Sequence, residues 1–158
     1  MTECIKVCMG ILQAMGFCIL FHVRGRKLVV AGVGGGLAMI VYLLVGSWGG
    51  NKALAAFAAS IFASLLGECL ARILKTPVII LLVPMLIPLI PGGDLYYTTS
   101  YLVRGQDELW AESFSLVLWE AGGIAFGIIL VTCLSQLIVR ILHWKNEKIS
   151  LPKKPDVL

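Results

Sequence analysis

Long stretches without charge constrain this chain more than any other feature. The sequence has 158 residues, of which 59% are hydrophobic and 14% are charged. About 20 consecutive apolar residues are enough to cross a bilayer as a helix, and lipid admits only backbone whose hydrogen bonds are satisfied internally. The five predicted spans lie at 4–23, 28–45, 53–74, 77–103 and 113–143. We therefore predict an all-α polytopic membrane protein, with one transmembrane module over 1–144 and a disordered cytoplasmic tail at 145–158.

The distribution of charge predicts an orientation for these spans. Ten of the 13 Lys and Arg residues fall in two turns and in the C-terminal part of the chain, namely Arg24, Arg26 and Lys27, then Arg72 and Lys75, then Arg140, Lys145, Lys148, Lys153 and Lys154. The opposite loops hold Glu3, Asp107, Glu108 and Glu112. The positive-inside rule then places the N-terminus outside and the tail in the cytoplasm, which requires an odd number of spans. The net charge of +4 is an orientation signal, so we predict contact with the lipid bilayer and no nucleic-acid partner.

The fourth span begins at Pro77 and contains three further prolines, Pro84, Pro88 and Pro91, which are followed by two glycines. Proline has no N–H and its ring clashes with the preceding helical turn, so we predict breaks at Pro84 and Pro88 and a second short helix after Pro91. Irregular backbone at membrane depth survives only where it is buried in protein or lines a polar cavity. Broken helices of this kind are typical of transporter substrate sites.

Residues at and after the break supply the predicted substrate site. Free amides at the start of the second helix, with the hydroxyls of Thr98 and Thr99, are suited to holding a carboxylate. Asp94 either caps this helix or lines the substrate path, and the two roles are compatible. The predicted substrate-binding residues are Pro84, Pro88, Pro91, Gly92, Gly93, Asp94, Thr98 and Thr99.

Two carboxylates lie within predicted spans. Glu120 falls about two turns into the fifth span, and an acid inside the membrane is costly and usually functional. It is either a proton-coupling carboxylate or a headgroup-level acid in line with Glu112. Glu68 and Arg72 are spaced as a helical acid–base pair, which favours a local ion pair over a buried transport carboxylate.

Small residues recur at four-residue spacing on three spans. They are Gly32 and Gly36; Ala55, Ala59, Ala63 and Gly67; and Gly123 and Gly127. Such faces allow helices to approach closely, either within one bundle or against a partner.

The sequence contains no catalytic motif and no C-x-x-C pair, so we predict no catalytic residue, no cofactor and no metal site.

The block from 77 to 104 resembles the threonine/serine exporter family. The resemblance is carried by Val83-Pro-Met-Leu-Ile-Pro-Leu-Ile-Pro-Gly-Gly-Asp-Leu-Tyr-Tyr, and by Gly16-Phe-x-x-x-Phe21 followed by a basic turn. The resemblance extends over essentially the whole chain. Within the family, the chain resembles the short branch, whose members are similar to the C-terminal half of the full-length exporter.

The resemblance implies a five-helix module that works with a second, larger membrane subunit. Together the two would export small amino acids of the threonine/serine type, or in some relatives the dicarboxylate succinate. We accordingly expect a proton-driven secondary exporter subunit in a bacterial plasma membrane. The alternative is a non-transporting scaffold that stabilises a partner containing the whole path.

Overall fold

Every regular element of the described residues is helical, which confirms the predicted all-α class. The computed structural model describes residues 2–49 and 51–150, with the side chains of 3–49 and 51–141. The helices are α1 Thr2–Leu20, α2 Arg26–Ser47, α3 Lys52–Ile73, α4 Val78–Leu86, α5 Gly92–Val103 and α6 Asp107–Ser150, with a 3-10 turn Ile87–Leu89 after α4.

The helices supply four or five membrane spans. By length and composition, α1, α2, α3 and α6 each qualify, and α4 with α5 makes a fifth if the bent pair is counted as one span. The sixth helix has 44 residues and extends beyond 113–143 at both ends. At 1.5 Å per residue it is about 66 Å long, roughly twice a hydrocarbon core. It takes in the start of the predicted tail, and residues 151–158 lie outside the described part.

The two basic turns meet at one end of the bundle. The Lys27 amine at the start of α2 donates to the Thr76 hydroxyl between α3 and α4, at 3.1 Å. Helices α1 and α2 are antiparallel, whereas α3 and α6 run in the same direction, because Gly123 lies beside Ala53 and Ser135 bonds to Glu68 further along both helices. The α2–α3 turn and the start of α5 therefore lie toward the opposite end.

The predicted break lies between α4 and α5, which are bent by 56° relative to each other. The prediction of a break at Pro84 is wrong, because α4 continues through that residue to Leu86. A proline removes one backbone hydrogen bond, and in membrane bundles neighbouring helices and local 3-10 geometry satisfy the carbonyl that is freed. At Pro88 the chain is in the 3-10 turn, and at Ile90 it becomes extended with ψ 126°.

The small-residue faces pack within the chain itself. On α2, Gly32 and Gly36 face Met15 and Ile11 of α1. The α3 face is fully enclosed, and its buried members include Ala55, Ala59, Ala63 and Gly67. Larger side chains, Leu81 and Met85 of α4, complete a core that joins α1, α2, α3 and α4.

The last small-residue face holds α6 against α3. A Cβ on Gly123 would lie 2.7 Å from the Ala53 carbonyl oxygen, and one on Gly127 would collide with the Ser60 hydroxyl. Backbone contact at this distance is possible only because both positions lack a side chain. All three faces are thus used inside the bundle, so they do not themselves require a second subunit.

Candidate functional site

An interhelical ion pair lies where α3 and α5 begin. The Lys52 amine contacts both oxygens of the Asp94 carboxylate, at 2.9 and 2.7 Å. The lysine side chain is 52% exposed and the aspartate 28% exposed, so the pair opens to its surroundings on one side.

A second carboxyl group lies beside this pair on α6. Glu120 is only 2% exposed, and its burial comes from protein rather than from lipid. Its carboxyl lies close enough to Asp94 and Lys52 to interact with them electrostatically, and its Oε1 atom has no hydrogen-bond partner among the described residues. The half-buried Tyr42 phenol of α2 lies near enough to Lys52, Asp94 and Glu120 to interact with them electrostatically. Four elements therefore converge on one polar cluster, which we call the Lys52–Asp94–Glu120 cluster.

Local capping explains how the lysine is positioned. Asn51 is the N-cap of α3, and its side chain accepts a hydrogen bond from the Ala53 amide at 3.2 Å. This fixes the start of α3 directly after the turn, so Lys52 occupies the first helical position and reaches across to α5.

The prediction that Asp94 caps α5 is wrong. The N-cap is Pro91, no side chain caps the helix, and Asp94 is the third helical residue. Its carboxylate bonds to Lys52 instead, while still lying in the first turn, where negative charge is favoured by the helix dipole.

The first turn of α5 retains unused backbone donors. The first amides of a helix have no intrahelical acceptor. The Gly92 amide bonds to the Ile90 carbonyl at 2.7 Å and the Leu95 amide to that of Pro91 at 2.9 Å. Gly93 and Asp94 are left as donors, and a Cβ on Gly92 or Gly93 would meet nothing within 4 Å. Small groups therefore have access to this turn beside the cluster.

The two predicted threonines lie on different faces of α5. Thr98 is buried one turn after Asp94, and its hydroxyl donates to the Asp94 carbonyl at 2.8 Å. Thr99 is exposed, donates to the Leu95 carbonyl at 2.9 Å, and lines a shallow cleft with Tyr96 and Arg104. Only Thr98 shares the face of the cluster.

The first two prolines lie away from the cluster. Pro84 is buried in α4, and Pro88 packs where Gly10 of α1 crosses Gly35 of α2. Pro91 alone adjoins the site, as the N-cap residue of α5. The structure thus groups Pro91, Gly92, Gly93, Asp94, Thr98 and Glu120, and separates Pro84, Pro88 and Thr99 from them.

The predicted ion pair of α3 is confirmed at the basic end of the bundle. An Arg72 nitrogen lies 2.9 Å from a Glu68 oxygen, and the Ser135 hydroxyl of α6 donates to the same oxygen at 2.9 Å. With both partners satisfied, Glu68 ties α3 to α6.

Lys52 and Tyr42 are the members of the cluster that the sequence-based prediction missed. Lys52 could have been recognised from the sequence as an unusual residue, because it is basic and lies at the end of the bundle that is predicted to be acidic. Tyr42 carried none, because tyrosine within an apolar span is also an ordinary packing residue.

The fold and the cluster define a multi-span helical membrane protein in which the second half of a broken span, α5, begins beside an ion pair and a buried carboxyl group. A family model described as "Threonine/Serine exporter, ThrE" matches residues 6–134, so the chain belongs to the threonine/serine exporter family. This is a family of transporters rather than of enzymes. No curated protein and no solved structure matches the chain.

Proposed function

We propose that the chain is one subunit of a proton-coupled secondary exporter of small amino acids, and that the Lys52–Asp94–Glu120 cluster lies on its substrate path. The observation that carries this proposal is the buried Glu120 carboxyl, placed beside an ion pair at the N-terminus of a half-helix. Buried ionisable groups in membrane bundles mark ion and substrate pathways.

The cluster has the chemistry to receive a zwitterion. The substrate carboxylate would meet the free amides of Gly93 and Asp94 together with the Lys52 amine, and the substrate ammonium would meet the acidic side chains. Transporters bind substrate carboxylates at half-helix N-termini in this way. A small dicarboxylate is the second candidate, but it would bring two negative charges to a site with two carboxyl groups and one lysine. The charge balance therefore favours an amino acid.

The same balance supports coupling to protons through Glu120. Lys52 neutralises one carboxylate, and a proton would neutralise the other. Such a proton would also allow Glu120 to donate a hydrogen bond to a neighbouring carboxylate. Binding of a substrate ammonium beside Glu120 would displace that proton, which links one substrate to one proton. Exposed ion pairs contribute only about 0–1 kcal/mol to the free energy of unfolding. The half-exposed Lys52–Asp94 pair would therefore serve this exchange more than it serves stability.

The partner in this proposal is a second, larger membrane subunit of the same family. The small-residue faces are used within the chain, so they do not support a partner. The support for a partner is the resemblance to the short branch of the family, whose members are similar to the C-terminal half of the full-length exporter. We further propose that the basic turns face the cytoplasm of a bacterial cell and that the cluster lies toward the outside. In the scaffold alternative, the partner would contain the whole path.

The test is export of threonine from cells that express both subunits. Glu120→Gln and Asp94→Asn should each lower export at least tenfold, and Pro91→Ala should lower it by altering the start of α5. Glu112→Gln is the matched control, because it removes an exposed acid from the same helix. Co-purification of the subunits reports assembly separately. Normal assembly with unchanged export in all three site variants would contradict a substrate path through this cluster.

A further inference from the structure

A cavity lies at the other end of the molecule from the cluster, between the α1–α2 turn and α4. Its volume is about 530 Å³. Phe17 and Phe21 of α1 form one wall, and Ile79 and Val83 of α4 form the other. Phe21 is 62% exposed and Ile79 is 66% exposed, so the apolar walls are open rather than enclosed by protein.

Three basic side chains, His22, Arg24 and Lys27, line the cavity at its turn end. Lys27 is held in place by its 3.1 Å hydrogen bond to Thr76. His22 has the left-handed value φ 57°, and the Val23 amide bonds back to the Cys18 carbonyl at 2.8 Å, which ends α1 and fixes the turn. Among the described residues, Arg24 takes part in no ion pair. The cavity thus combines a basic end with apolar walls.

We propose that this cavity binds one anionic phospholipid. The headgroup phosphate would lie between Arg24, Lys27 and His22, and an acyl chain would extend along the apolar walls. Basic pockets between membrane helices on the cytoplasmic side bind anionic headgroups in this manner. The proposal does not depend on the transport site, which includes none of these three basic residues.

The shape of the cavity distinguishes a lipid from other occupants. A small polar substrate would leave the aromatic and aliphatic walls in contact with water, at a cost that grows with the apolar area exposed. A partner helix is about 10 Å across, so little more than about one turn of it would fit the volume. One flexible chain with an anionic head matches both the walls and the charge.

Native mass spectrometry of the full chain in a neutral detergent tests the proposal. Dioleoyl phosphatidylglycerol should bind more tightly than dioleoyl phosphatidylcholine, which has the same chains and no net charge. Arg24→Gln should weaken phosphatidylglycerol binding about fivefold, as expected for one cation near a headgroup. The matched control is Arg26→Gln, which removes an equal, exposed charge two residues away that does not line the cavity. It should change binding by less than twofold.

Further measurements distinguish lipid binding in the cavity from lipid binding to a diffuse basic surface. Val83→Phe narrows the apolar part and should weaken phosphatidylglycerol binding in protein whose thermal unfolding is normal. Inorganic phosphate should not compete. Equal binding of the two lipids, equal losses from Arg24→Gln and Arg26→Gln, or displacement by phosphate would each overturn the proposal. The two lipids and the arginine variants decide the matter even if Val83→Phe does not fold.

Discussion

Glu120 and Asp94 are neighbouring carboxyl groups in different surroundings. Asp94 has a lysine partner and partial exposure, whereas Glu120 is enclosed and one of its oxygens has no partner among the described residues. An unsatisfied buried polar group costs about 1–3 kcal/mol, and more if it is charged. Glu120 therefore lowers the stability of the fold that contains it, which is typical of groups kept for function.

Stability and activity should respond in opposite directions at Glu120. Glu120→Gln keeps the size of the side chain and supplies an N–H that can donate to Asp94, so the free energy of unfolding should stay equal or rise by about 1–2 kcal/mol. Thermal unfolding of the purified chain in detergent measures this. Glu112→Gln, at an exposed position, should leave the midpoint unchanged. A midpoint several degrees lower for Glu120→Gln would mean that the carboxyl is a structural hydrogen-bonding group.

The sequence revealed part of this cluster but not its pairing. Glu120 was recognisable because an acid interrupts an apolar span, and Asp94 because it follows the proline–glycine break. The ion pair was not predictable, since Lys52 and Asp94 are 42 residues apart and meet only when α3 and α5 are both packed against α6. The expected capping role of Asp94 failed for the same reason, because a lysine on another helix binds its carboxylate.

Among the helices, the contact between α3 and α6 depends most directly on missing side chains. Glycine inside a water-exposed helix costs about 1 kcal/mol relative to alanine, so a glycine with free space around it gains from substitution. Gly122 and Gly123 are adjacent on α6 but differ in this respect. Only Gly123 faces the backbone of α3.

Gly123→Ala should destabilise the bundle, whereas Gly122→Ala should not. The new methyl group at Gly123 would press on the Ala53 carbonyl oxygen at 2.7 Å, and overpacking of this kind costs about 1–3 kcal/mol. A Cβ at Gly122 has nothing within 4 Å. Thermal unfolding of the two variants side by side is the measurement. Equal midpoints would contradict the close approach of α3 and α6.

The helices also show where sequence patterns are reliable. The four-residue spacing of small residues predicted close-packing faces, and these are confirmed, but the spacing did not indicate which helix each face meets. The prolines predicted the broken span, the break at Pro88 and the second helix after Pro91, but the break predicted at Pro84 is wrong. Pro84 is accommodated within α4, whereas Pro91 follows an extended residue and starts a new helix. The difference depends on which neighbouring groups satisfy the freed backbone, and that is a property of the packed bundle.

At the scale of the whole molecule, the two ends of the bundle carry different sets of charged residues. The basic turns meet at the end where Lys27 bonds to Thr76, and the Lys52–Asp94–Glu120 cluster lies toward the other end. This arrangement agrees with the orientation proposed from charge, in which the basic end is cytoplasmic.

Labelling of single cysteines should establish that orientation. In a variant whose five native cysteines are replaced, Asn51→Cys should react with a membrane-impermeant maleimide added to intact cells, and Arg26→Cys should react only after permeabilisation. Both positions are exposed, so access through the membrane is the only difference expected. The reverse pattern would contradict the proposed orientation and place the cluster toward the cytoplasm.

Proton coupling through Glu120 is the central claim, and substrate uptake into inverted membrane vesicles containing both subunits tests it most directly. Radiolabelled threonine uptake should rise when the vesicle interior is made acidic, because export from the cell becomes uptake in this geometry. Glu120→Gln should abolish the response to the pH gradient, and Glu112→Gln should preserve it. A Glu120→Gln exporter that follows the gradient as the unaltered protein does would contradict the account.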